Sequence, residues 1–355
     1  MRRASVAKSW RALGALLLFA VIRKRRIADL VRKSAGTIAR QSATGYRYLA
    51  LRCCPRLPYG VDALNLCAAN DENIMTDRTQ RRFWALGLVV ALLATLAAFV
   101  YLLSEARITA RYTLPSSIMR PATAPGAVRR GAHLAMIYGC EDCHTAPGAP
   151  AFTGNIVHVQ PGLILAAPNL RRFLKDRGPG LFDIALRRAL TPGARAVWDM
   201  PSNAYVYLSD QDIEALLAYF ASLPVIGPQP SGMTFSFRAR LAVLAGTLRP
   251  ANPYGLGQVG PRELGPAYDG GRYLAMMGCS GCHGADLDGK PHGAPDLRVI
   301  QAYDRPQFFA LLRQGVVPAG RYAPVMTKLA KRRFRALKDY EVNALYDYLK
   351  ARAQP

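Results

Sequence analysis

Acidic side chains and cysteine are what this sequence has little of. Its 355 residues carry 23 Asp and Glu against 47 Lys and Arg, a formal net charge of +24, and only seven cysteines. Seven is too few for a disulfide scaffold at this length, and the number is odd. Apolar residues make up 51%, which excludes a disordered chain. The shortage of acid looks at first like a nucleic-acid footprint, so the position of the basic excess matters. Residues 1–74 hold 14 basic and 4 acidic side chains, and residues 104–355 hold 30 and 18. More than a third of the excess falls in the first fifth of the chain. The rest is a moderately basic body, and no nucleic-acid partner is expected.

Charge is absent altogether from Phe83 to Leu103, a run of 21 residues. As a helix this run spans about 30 Å, the thickness of a bilayer's hydrocarbon core. Phe83 and Trp84 stand at one end and Tyr101 near the other, where interfacial aromatics belong. A buried core helix is the competing reading. A cleaved signal peptide fits less well, because its apolar region is about 7–15 residues. An uncleaved transmembrane anchor over residues 75–103 is expected. Arg78, Arg81 and Arg82 before it balance Arg107, Arg111 and Arg120 after it, and the basic residues 1–74 tip the count toward an inside N-terminus. Residues 1–74 read as a basic extension whose apolar run, Ala12 to Ile22, is too short to span. That run is an interfacial helix or sequence upstream of the natural start, which Met75 is expected to be. Cys53, Cys54 and Cys67 lack CxxC spacing and read as spectator thiols.

Beyond the anchor, residues 104–126 read as a linker, with three prolines between Leu114 and Gly126. Pro224–Pro230 and Pro250–Pro266 are further breaks within a second linker, 225–267. Between those breaks, Phe235 to Leu248 is expected to form a basic, apolar helix on a surface or partner. The linkers separate two copies of one pattern, residues 127–224 and 268–355. GAHLAMIYGCEDCH from Gly131 to His144 answers GRYLAMMGCSGCH from Gly271 to His283. Ala167-Pro168-Asn169-Leu170 answers Ala294-Pro295-Asp296-Leu297. LSDQDIEALLAYF from Leu208 answers LKDYEVNALYDYL from Leu337, each with one apolar helical face.

Both copies contain C-x-x-C-H, Cys140, Cys143 and His144, then Cys279, Cys282 and His283. This is the attachment pattern of c-type haem, with two thiols for the vinyl groups and an imidazole for the iron. A thioredoxin-like pair would want a βαβ context, and zinc would want two further ligands at regular spacing. The sixth iron ligand separates electron transfer from catalysis. Met200 and Met326 stand in matching register, 32 residues after Pro168 and 31 after Pro295. The copies differ by one 12-residue insertion, expected in the first loop between the histidine and that proline, with His158 in it. A ligating His donates its second N–H to a carbonyl, and Pro168 and Pro295 are the candidates to accept it. The other histidines, His133, His158 and His292, are possible rivals to the methionines. His158 and His292 read as surface or supporting residues.

GCxxCH, APxL, a methionine and a final LxDxEIxALxxYL helix resemble the class I cytochrome c domain, twice over. The resemblance implies an all-α fold, two tandem class I cytochrome c domains behind a single N-terminal transmembrane helix, with two covalently bound c-type haems. More narrowly the pair resembles the cytochrome c subunits of membrane-associated periplasmic dehydrogenases. It implies an electron-transfer subunit in the bacterial inner membrane, single-pass with its haem domains in the periplasm. Its partners would be a dehydrogenase donor and a cytochrome or oxidase acceptor of the respiratory chain. The alternatives are a dihaem subunit of a terminal oxidase and, as an enzyme, a dihaem peroxidase, against which the paired methionines argue. Lys328, Lys331, Arg332, Arg333, Arg335 and Lys338 follow Met326 and are expected to steer an acidic partner. The competing reading is an ordinary solvated helix face.

Overall fold

The computed structural model describes residues 63–251, 260–289, 293–318 and 323–354, with side chains described from residue 77 onward. Residues 1–62 with Cys53 and Cys54, the Cys67 side chain, part of the Pro250–Pro266 break, and His292 lie outside the described residues. The chain divides into two compact units at Leu86. The described residues of the first are the leading part of helix α1 (Ala63–Ile108), where Arg81 pairs with Asp77 at 2.6 Å. This helix runs past the expected anchor at both ends. Its apolar stretch is the one segment of the described residues long and apolar enough to cross a membrane. Phe83, Trp84, Leu88 and Leu96 are all more than half exposed, so this is not a core helix.

The second unit is mostly helical. After an irregular stretch come α2 (Ala127–Ile137), the one-turn α3 (Cys140–His144), α4 (Leu170–Arg188), the short α5 (Ser202–Tyr205) and α6 (Asp210–Ser222). Gly178 at φ 81° followed by Pro179 kinks α4, since the proline ring cannot continue the preceding turn. The pattern then recurs as α8 (Asp269–Gly278), α9 (Ser280–His283), α10 (Arg305–Gln314), α11 (Pro324–Arg332) and α12 (Asp339–Arg352). Between the two sets, α7 (Phe237–Ala245) forms within the expected helix over Phe235–Leu248.

The all-α expectation needs correction, because a three-stranded antiparallel sheet is present. Its order is β1 (Asn155–Val159), β2 (Leu163–Ala167), β3 (Met233–Phe235), with His158 opposite Ile164 and Ile164 opposite Thr234. NIVHV and LILAA flank a turn holding Gly162 at φ 124°, and β-branched runs around such a turn favour a hairpin. The third strand comes from the segment expected to be linker. Leu163 and Phe235 pack with Ile108, Trp198, Ala239 and Val243 in a small core of their own.

The main core is one continuous cluster, and two helix crossings organise it. Helix α2 meets α6 at Gly131, where a Cβ would overlap the carbonyl oxygen of Ala215 and lie 2.7 Å from Tyr219 Cβ. Helix α8 meets α12 at Gly271, where a Cβ would overlap the Ala344 oxygen and lie 2.6 Å from Tyr348 Cβ. The obstacle is backbone within a helix, which cannot swing aside. Gly271→Ala is expected to destabilise by about 1–3 kcal/mol through overpacking. Gly270→Ala, which would meet nothing within 4 Å, is expected to be neutral or slightly stabilising. Denaturant melts of the two variants check the difference.

Candidate haem centres

Each CxxCH motif forms one helical turn directly after the first helix of its set. Gly139 at φ 72° makes the bend between α2 and α3. All four motif cysteines are free thiols. His144 is buried, and its Nδ1 lies 2.8 Å from the Pro168 carbonyl oxygen. His283 is half-buried, with Nδ1 2.7 Å from the Pro295 carbonyl oxygen. A carbonyl can only accept, so both rings carry their proton on Nδ1 and keep the Nε2 lone pair for a metal. Burial pulls both histidine pKa values down, partly offset by the carbonyl, so the rings are neutral and ligand-competent. Burial pushes the Cys140 and Cys279 thiols up to about 12 and also raises Cys143. A redox-active CxxC pair lowers its thiol pKa, so this environment suits thioether bonding better than thiolate chemistry. Among the described residues no group of three or more His, Cys, Asp or Glu converges as a metal cluster would.

The loops from histidine to proline are built alike. The Gly154 N–H donates to the His144 carbonyl at 2.8 Å, and the Gly289 N–H donates to the His283 carbonyl at 2.7 Å. Phe152 and Leu287 both take positive φ, 62° and 66°, an uncommon geometry repeated at one place. Each accepts from the residue after the AP-N/D turn, Leu170 and Leu297. Aligned on these contacts, the 12 extra residues of the first copy are two insertions. One precedes Phe152, and the larger follows Gly154 and extends β1 and β2.

Met200 and Met326 are both half-buried and pack against the main core. Met200 ends a loop after buried Trp198, with Asp199 at φ 57°. Met326 lies in the first turn of α11. A short helical piece follows each, α5 in one set and the 3-10 turn Phe334–Ala336 in the other. Two of the rival histidines are placed elsewhere. Nε2 of His133 lies 2.8 Å from Glu341, and His158 is exposed on β1.

Residues 268–353 match the family model for cytochrome c. This stretch is a cytochrome c domain. The chain is 27% identical over 294 residues to the fructose dehydrogenase cytochrome subunit of Gluconobacter japonicus, covering 73% of this chain and 58% of that one. It is 29% identical over 172 residues to the gluconate 2-dehydrogenase cytochrome c subunit of Pantoea cypripedii, covering 44% and 37%. The chain spans about half the length of the curated relatives it matches. A cytochrome c domain binds its haem covalently, and the donor set of Cys279, Cys282 and His283 fits that group, with two unpaired thiols beside an imidazole whose free nitrogen is Nε2. The same set stands at Cys140, Cys143 and His144.

Sequence reasoning missed how the two motifs are held against each other. His133 of α2 meets Glu341 of α12, and Tyr273 of α8 donates to Asp212 of α6 at 2.8 Å. In the repeat alignment position 133 matches 273 and position 212 matches 341. Each copy therefore uses the same two positions on the other, the pattern of an isologous two-fold interface. Burial alone would raise the Glu341 pKa, but His133, the Lys338 N–H and the Lys338 charge hold it below its ordinary value of 4.5. This contact thus contributes stability above that pH and loses it in acid. Asp142, inside the first CxxCH, accepts from Arg333 at 2.5 Å and pairs with Arg332 at 2.6 Å. The expected six-residue docking cluster is therefore divided, since Arg332 and Arg333 hold the other copy while Lys328, Lys331, Arg335 and Lys338 stay exposed. Its signal was the acidic pair Glu141-Asp142 in one motif facing a basic run in the other copy. Asp142→Asn is expected to cost about 1–2 kcal/mol, as hydrogen bonds to charged groups do. A melt in low and high salt should show the loss shrinking as salt rises, because Arg332 is half exposed.

Proposed function

We propose that this chain is a membrane-anchored dihaem electron-transfer subunit. It accepts electrons from a periplasmic dehydrogenase and passes them to the respiratory chain. The observation that carries the reading is the repeated hydrogen bond from histidine Nδ1 to a proline carbonyl, in two copies with the same flanking loop contacts. Bound at these residues, haem supplies a one-electron iron couple. Cys140 with Cys143, and Cys279 with Cys282, hold it by thioether bonds. His144 and His283 would offer Nε2 to the iron, and the Pro168 and Pro295 carbonyls fix the ring orientation through Nδ1. Met200 and Met326 would supply thioether sulfur to the iron, a donor that favours a high potential and electron transfer over oxygen or peroxide chemistry. In this reading the chain acts as a relay within a dehydrogenase complex.

The relatives are cytochrome subunits of a fructose and a gluconate dehydrogenase. A sugar or sugar-acid dehydrogenase is accordingly the donor class the reading favours. Haem attachment outside the cytoplasmic membrane puts residues 109–355 in the periplasm, with α1 as a single-pass anchor in the inner membrane. The cross-repeat contacts hold the two CxxCH turns in a fixed mutual position, which a relay between them needs. The exposed Lys328, Lys331, Arg335 and Lys338 leave a basic face beside Met326 for an acidic partner.

Intact mass of the purified chain is expected to exceed the polypeptide by two haems, and Cys140→Ser with Cys143→Ser by one. Met200→Ala and Met326→Ala should each remove part of the long-wavelength methionine–iron band. Each should also lower one of two midpoint potentials within the ~0.8 V range that axial ligation sets. A single haem per wild-type chain rejects the dihaem reading. An unchanged spectrum and potential in either variant rejects that methionine.

A further inference from the structure

Helix α7 is left without a task by the electron-relay reading, yet its placement is specific. Its N-terminus is capped by Ser236, whose Oγ accepts from the Ala239 N–H at 3.2 Å, and Gly246 at φ 71° ends it. Ala239 and Val243 face inward and are buried against Ile108, Leu163, Trp198 and Phe235. The rest of the docking is made to the last two turns of α1. The Arg240 guanidinium stacks 4.0 Å from the Tyr101 ring centroid, donates to Ser104 Oγ at 3.0 Å and pairs with Glu105 at 2.9 Å. Arg107 reaches back to the Val243 and Leu244 carbonyls at 3.1 and 2.9 Å.

These contacts fix the depth of α7. The charge-free run ends at Leu103, and from Tyr101 to Ile108 the helix rises about 10 Å. That interval is where a bilayer's headgroup and interfacial layer lies. A helix docked there meets lipid on any face not turned to α1 or to the sheet. The remaining face of α7 carries Phe237 at 53% exposure and Leu241 at 44%, with Ala245 and Arg238 also exposed. Positions 237, 241 and 245 follow one another at four-residue spacing, so they form a single apolar stripe with one cation at its edge. That composition matches a helix lying in the membrane interface, apolar residues at the acyl boundary and a basic side chain at the phosphates.

We propose that α7 is a second, in-plane membrane contact, with its Phe237–Leu241–Ala245 face in the phospholipid interface and Arg238 on lipid phosphate. The proposal rests on the reading of α1 as a membrane span. A single helix leaves the attached domain free to swivel about its axis. A second contact at the same depth, rigidly joined through β2 and β3 to the first CxxCH copy, fixes the tilt of the whole unit on the membrane.

The test is site-specific photo-cross-linking of the haem-loaded full chain in phosphatidylethanolamine–phosphatidylglycerol vesicles. p-Benzoylphenylalanine replaces Trp84, Phe237 or, as an exposed control remote from α7, Tyr340, and adducts are read by mass after illumination. Phospholipid adducts at 84 and 237 with none at 340 are the expected result. Lipid at 84 without lipid at 237 overturns the in-plane helix and leaves the span intact. No lipid at 84 overturns the span and this inference with it. Adducts from 237 to a second copy of the chain, without lipid, show a protein interface and overturn the lipid assignment.

Discussion

A Cβ at position 131 would collide with the Ala215 carbonyl, and one at position 271 with that of Ala344. The backbone contact these glycines permit is the constraint on which the placement of the two CxxCH turns rests. Helices that touch through backbone have little freedom to slide, because the glycine fits only over the carbonyl it was cut to clear. Each CxxCH turn follows its helix with a bend of one or two residues, so the crossing also sets where the two thiols and the imidazole stand. The histidine is then locked a second time, by a proline carbonyl delivered from a loop that the same core holds. Two independent constraints on one imidazole are what a metal ligand requires, since a ring free to rotate would present Nε2 in no fixed direction.

The elements legible in the sequence were those whose physics is local. Cysteine and histidine in one turn, an apolar face at helical spacing and a charge-free run all announce themselves within a few dozen residues. Even the proline carbonyl was accessible, because a ligating imidazole must donate somewhere and only one turn recurred in both copies. The sheet was less visible. NIVHV and LILAA lie in the stretch that the repeat alignment leaves as an inserted loop, although the β-branched residues before Gly162 carry a hairpin signal. The third strand had no local signal at all, since three residues ending at Phe235 become a strand only because β2 offers an edge. The division of the 12 extra residues into two insertions was likewise invisible, since it is defined by the positive φ shared by Phe152 and Leu287.

Charge shows the same boundary between local and long-range information. Six cations after Met326 read as one exposed patch because nothing nearby neutralises them. The acidic counterpart of two of them, Arg332 and Arg333, is Asp142, 191 residues upstream of Arg333 and within the other copy's CxxCH motif. Tyr138 is a related case. It is the extra residue of the first copy, inserted just before Gly139, and by sequence it looks like a tolerated irregularity. In the structure it lines a small cavity at the seam between copies together with Leu274, Cys279 and Phe334, with its hydroxyl buried and without a partner among the described residues. Burial accordingly drives its pKa well up. The added aromatic gives the seam apolar surface at the cost of one unpaired hydroxyl.

The two copies start from one plan, so their differences point to what each does alone. The loop insertion that extends β1 and β2 belongs to the first copy. The segment after that copy supplies β3 and α7. All of it packs toward the end of α1, through Leu163, Phe235, Ala239 and Val243 around Ile108. The second copy keeps the short loop and leaves Lys328, Lys331 and Lys338 exposed. Their mutual contacts remain nearly symmetric, His133 with Glu341 answering Tyr273 with Asp212. A symmetric interface holding an asymmetric pair gives the unit a direction, with one end packed on α1 and the other presenting charge. That polarity depends on the insertion and the linker folding as one sheet, so a change at Leu163 or Phe235 bears on the orientation of both CxxCH turns, including the one it never touches.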